Sequence, residues 1–153
     1  MSHRYRYYKA YFRFQDVMVP RGATIKSAYL SLPFQGGNSQ VFRVAGLDAD
    51  DVDEPPLDAA HTYADHDSET TAYVDWTLPD QSGASGVQYN TTPDIKSIIE
   101  EIVGRSGWVK GNNLMLFVYH STAHQSADKR RTVYAVEDNT PTADEETKLE
   151  ITY

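Results

Sequence analysis

The chain has 153 residues, 40% hydrophobic and 24% charged, with a net charge of −8 at pH 7 and no cysteine. That length suits one domain with a real core, and no apolar run approaches the roughly 18 residues a membrane span needs. The missing cysteine excludes disulfides, thiolate metal sites and a cysteine nucleophile.

Charge is unevenly spread. Residues 1–30 carry Arg4, Arg6, Lys9, Arg13, Arg21 and Lys26 against Asp16 alone, whereas residues 48–80 are rich in carboxylates and hold no lysine or arginine. An acidic surface repels phosphate, so nucleic acid is not expected, and the lack of a long apolar run leaves no membrane insertion expected either. The opening "MSHRYRYYKAYFRF" has no apolar h-region and no small-residue cleavage site, so it does not read as a secretory signal.

Arg4, Tyr5, Arg6, Tyr7, Tyr8 and Lys9 form a basic, tyrosine-rich stretch at residues 1–9. It is read as a docking arm, since arginine and tyrosine give large contact area and directional bonds, or as an edge strand with a charged outer face. "AYFRF" then places Ala10, Phe12 and Phe14 on one face and Tyr11 and Arg13 on the other, the alternation of a half-buried strand. "VPRGAT" punctuates a turn, and "IKSAYLSLPF" alternates again with Ala28, Leu30, Leu32 and Phe34 aligned. "VFRVAGL" is a third strand. The acidic stretch "DADDVDEPPLDAAHTYADHDSE" has no period and reads as a long loop.

Strand character resumes in "TAYVDWTL", where Trp76 shares a face with Ala72 and Val74 and is expected in the core, and "SGVQY" adds a short strand. Residues 93–104 are the single predicted helix. Thr92 is the expected cap, Pro93 suits the first helical position, and Ile95, Ile98, Ile99, Ile102 and Val103 form a one-sided apolar stripe that ends at Gly104. "NLMLFVYH", "RTVYAVE" and "TKLEITY" close the chain as strands, the first apolar on both faces and hence central. The expected fold is all-β, an antiparallel jelly-roll β-sandwich of about eight strands in a single domain spanning 1–153, with the helix sealing one end of its core.

Several stretches resemble the DNRLRE-type domain, a β-sandwich related to carbohydrate-binding modules. They are "RFQDVMVPRGATIKSAYLSL", "YNTTPDIKSIIEEIVGRSGWVKGNNLMLFV", "RTVYAVED" and "LEITY", which span nearly the whole chain. The most specific pieces are the run of Pro20, Gly22, Ala23, Ile25, Ala28 and Leu30, and the set Gly107, Trp108, Gly111 and Asn112. The sequence departs from the pattern at Thr147, where that family often has proline, and in two charged insertions. The resemblance implies a sandwich of the kind found in secreted microbial surface and polysaccharide-associated proteins.

Candidate chemistry is sparse. Asp48, Asp50, Asp51, Asp53 and Glu54 are dense oxygen ligands suited to a structural calcium, although the spacing is not an EF-hand: Asp53 stands where the glycine belongs and Ala59 where the bidentate glutamate belongs. His61, His66, His120 and His124 follow no zinc pattern and read as loop histidines. Trp108, Tyr89 and Tyr119 are candidates for an aromatic glycan platform, with Trp108 also read as a cover for the helix end. No nucleophile elbow occurs in "GRSG" or "GASG".

The expectation is a non-enzymatic structural and binding module without a cofactor beyond that calcium. Its first form is a bacteriophage virion surface protein, such as a capsid decoration or fibre-associated subunit, whose partners are protein subunits of a larger assembly. The alternative is a carbohydrate-binding module of a secreted or cell-surface system, with glycan as partner. The location follows as virion surface, or extracellular by a route other than a visible signal peptide.

Overall fold

The computed structural model describes residues 9–53, 68–120, 133 and 147–153. These build two antiparallel sheets and one helix: β1 (Lys9–Phe14), β2 (Ser27–Gln35), β3 (Gln40–Leu47), β4 (Glu69–Leu78), β5 (Val87–Thr91), α1 (Lys96–Val103), β6 (Leu114–Tyr119) and β7 (Lys148–Thr152). The four-stranded sheet has the order β1-β6-β3-β4 and the three-stranded sheet β5-β2-β7. Of these neighbours only β3 and β4 are consecutive in sequence, so the chain crosses between the sheets at most turns. Val133, from the predicted "RTVYAVE" strand, bridges to Phe34 of β2.

The all-β sandwich is therefore as the alternation predicted. Ala28, Leu30, Leu32 and Phe34 of β2 are all essentially inaccessible and meet Phe42, Val44, Trp76, Leu78, Leu114, Leu116 and Val118 across the gap. β6 is apolar on both faces because it lies in two cores. Leu114, Leu116 and Val118 point between the sheets, whereas Met115 and Phe117 pack on the outer side with Leu47 and Val52.

The isoleucine stripe of α1 faces the main core, with Ile98, Ile99, Ile102 and Val103 fully buried. Each such side chain contributes about 1.5–3 kcal/mol through removal from water. Gly46 of β3 makes the contact possible, since a Cβ there would lie 2.7 Å from Ile102 Cδ1 and 3.0 Å from Ile98 Cγ2.

The helix starts later than residue 93, and Thr92 is not its cap. Thr92 instead extends the pairing of β5 with β2: Leu30 N–H donates to its Oγ1 at 3.0 Å and its own N–H donates to Leu30 O at 2.9 Å. Ile95 is the N-cap and has no side-chain cap bond; Asp94, one residue earlier, uses its Oδ1 to accept from Lys96 N–H and from Ala28 N–H, both at 3.0 Å. One carboxylate thereby fixes the first turn of α1 to β2.

Candidate functional site

The outer face of the four-stranded sheet gathers the most varied chemistry among the described residues. Strand register sets it in rows. Lys9 opposes Tyr119, which opposes Arg43, which opposes Asp75; one step along, Tyr11, Phe117, Ala45 and Tyr73 form the next row. Both rows lie on one face because side chains two apart on a strand share a face; the first is mostly charged and the second mostly aromatic.

Each row is tightly interlinked. The Arg43 guanidinium lies 3.6 Å from the centroid of the Tyr73 ring, and it donates to Asp75 from Nε at 2.9 Å and from the terminal nitrogen at 3.1 Å. The guanidinium thus forks onto Asp75 while lying over the ring, a combination lysine cannot reproduce. Lys9 ion-pairs with Glu69 and holds its ammonium 4.8 Å from the centroids of Phe117 and Tyr119. The Tyr119 hydroxyl donates to the same Glu69 at 2.6 Å. Burial, then that bond and the carboxylate charge, push the Tyr119 phenol well above its usual range. Tyr73 remains 51% exposed and Tyr11 borders the same row. Phe117 at the centre is fully buried, so the groups this face offers a ligand are the exposed Tyr73 and Tyr11 rings beside the fixed charges of Arg43, Asp75, Lys9 and Glu69.

The residues proposed from sequence fall in different places. Arg4, Tyr5, Arg6, Tyr7 and Tyr8 lie outside the described residues, while Lys9 opens β1 on the outer face. The three glycan candidates are not brought together. Trp108 is 1% exposed and donates its Nε1–H to Val19 O at 2.9 Å, so its ring faces are covered by protein and offer no platform to a sugar. Tyr89 is exposed on β5 of the other sheet, and of the three only Tyr119 belongs to the outer face.

Three of the five acidic candidates, Asp48, Asp50 and Asp51, are engaged with protein groups. Arg105, just past α1, donates to both Asp48 and Asp50, the latter at 2.7 Å, and so supplies a cation between them. Asp51 accepts from Val52 N–H at 2.9 Å and Asn113 N–H at 2.7 Å, and Asn112 donates to Asp50 O at 2.8 Å. Gly107 leaves room for the Asp50 carboxylate, which a Cβ there would displace. Asp53 is exposed, and Glu54 lies outside the described residues. Among the described residues no three histidines or carboxylates converge to hold a metal ion. His61, His66 and His124 are likewise outside them. His120 is no loop tip: its ring packs 4.4 Å from Phe42, and desolvation lowers its pKa against a smaller opposing effect of the Val41 backbone.

Sequence reasoning missed Arg43, Tyr73, Asp75 and Glu69. A charged residue inside "VFRVAGL" and the Tyr-x-Asp of "TAYVDWTL" were the available signals, but which strands adjoin is a long-range fact. Compared with family models, curated proteins and solved structures, the chain matches none. The DNRLRE-type resemblance therefore rests on the quoted stretches alone.

Proposed function

We propose that this chain is a non-catalytic structural and binding module of a larger assembly, a bacteriophage virion surface protein of the capsid-decoration or fibre-associated kind. The supporting observation is how its ionic side chains are used. Arg105 with Asp48 and Asp50, Arg43 with Asp75, and Lys9 with Glu69 each join separate segments of the fold. A carboxylate committed to such a join positions backbone, whereas a general acid or base must reach a substrate proton. Docking is assigned to the arginine- and tyrosine-rich residues 4–9, the last of which sits on the outer face. Co-sedimentation with assembled capsids tests this: deletion of residues 1–8 abolishes docking, and full retention overturns the role of the arm.

A second reading, a carbohydrate-binding module, is favoured by the exposed Tyr73 ring braced by Arg43 and by the resemblance stated above. On a glycan array, Tyr73→Ala then removes specific signals that the wild type shows. An array without wild-type signal removes this reading.

A further inference from the structure

The end of the sandwich beyond the C-terminus of α1 carries a surface that neither reading uses. Residues 108–112 run alongside residues 17–19: Val17 N–H donates to Asn112 O at 3.0 Å, Gly111 N–H to Val17 O at 2.9 Å, and Trp108 to Val19 O. This pairing turns Val19 and Trp108 inward and the residues between them outward. Met18 is 57% and Val109 62% exposed. Tyr153, 49% exposed, joins them by donating its hydroxyl to Met18 O at 3.0 Å. Three large apolar side chains thus share one patch.

Its rim is basic. Lys26 donates to Tyr153 O at 3.3 Å, Arg21 to Ser106 O at 2.8 Å, and Lys110 adjoins Val109. Of the bordering carboxylates, Glu100 is turned to Ile25 N–H, and Asp16 lies beside Asn113. An apolar face ringed by cations is unexpected on a chain of net charge −8, and its complement lies in the same sequence. Residues 53–67 hold Asp53, Glu54, Asp58, Asp65 and Asp67, together with Leu57 and Tyr63, and no lysine or arginine.

We propose that the face formed by Met18, Val109 and Tyr153 docks the acidic 53–67 block of a second copy of this chain. The apolar side chains supply burial, and Arg21, Lys26 and Lys110 supply steering and register. Such a contact joins two different surfaces, so copies associate head to tail. It uses neither the arm nor the outer sheet face, so it stands apart from the proposed function.

Sedimentation velocity on the full chain tests it. The wild type forms larger species with rising concentration at low salt, and they dissociate at about 0.5 M salt, where screening removes the charge contacts. Met18→Glu with Lys110→Glu, both at exposed positions, weakens association by at least about tenfold while circular dichroism and Tm stay unchanged. Asp58→Lys with Asp65→Lys also abolishes self-association, and mixing that variant with Lys26→Glu/Lys110→Glu restores a hetero-complex. The charge-swapped mixture remains decisive should the Met18 variant lose its fold. Deletion of residues 1–8 leaves association intact, which separates this contact from docking by the arm. A wild type that stays monomeric to about 0.5 mM, or association insensitive to these substitutions, overturns the proposal.

Discussion

Glu101 of α1 grips β4 at Thr71: its Oε1 accepts from Thr71 N–H at 2.6 Å while Oε2 accepts from Ala72 N–H at 2.7 Å. Its neighbour Glu100 accepts from Ile25 N–H at 3.2 Å, just before β2. Adjacent carboxylates on one helix therefore hold a strand of one sheet and the approach to a strand of the other. Glu101→Ala leaves two amides without this partner and is expected to cost about 1–3 kcal/mol, with Glu101→Gln costing less because one acceptor remains. Urea unfolding checks this as a lower midpoint at constant slope.

Gly46→Ala drives a methyl into Ile98 and Ile102. The expected loss is about 1–3 kcal/mol from overpacking. Ile102→Val in the same chain should return part of it, and a double-mutant cycle with a coupling near zero would show that the helix yields without contact.

Arg105→Ala removes the cation between Asp48 and Asp50. These side chains are more than one-third exposed on the acidic side, so solvent screening limits the stability loss to about 0.5–1 kcal/mol. The variant leaves two carboxylates to seek another cation. A Tm rise with about 1 mM calcium in the variant, exceeding that of the wild type, is the expected result, and equal responses would deny that Arg105 competes with calcium.

Two groups give stability opposite pH limbs. His120 has a folded pKa below its ordinary 6.5, so the unfolded chain binds the extra proton first, and stability falls as pH drops below about 6.5 until the folded ring also protonates. Tyr119 has a folded pKa above its ordinary 10.0, so the unfolded chain loses its proton first, and stability falls as pH rises past about 10. His120→Gln should flatten the acid limb and Tyr119→Phe the alkaline one in urea midpoints measured across pH.

Local periodicity made most of the fold legible. The β2 face from Ala28 to Phe34, the two-sided burial of β6 and the α1 stripe each follow from spacing alone, because burial acts on every second or every third and fourth residue. The helix start failed for a physical reason: Thr92 is held in sheet pairing by Leu30 through both its hydroxyl and its backbone N–H, so the chain is still extended there and the helix begins later. The candidate face was hidden more deeply. Arg43 and Tyr73 meet across a long acidic connection, and Lys9 reaches Tyr119 only through sheet order, neither of which is written in nearby residues. The carboxylates of Asp48 and Asp50 were visible as a cluster, but the arginine between them comes from beyond the helix.

The pairing of β1 with β6 also sets a timetable for synthesis. Lys9 meets Tyr119 and Phe14 meets Leu114, so β1, the first of the described strands, waits for about a hundred further residues before its partner is made. At about 5–20 residues per second that delay is on the order of ten seconds. Throughout it Phe12 and Phe14 lack the β6 partner, and Lys9 and Arg13 within the same strand are charges of the kind that discourage pairing with a stranger.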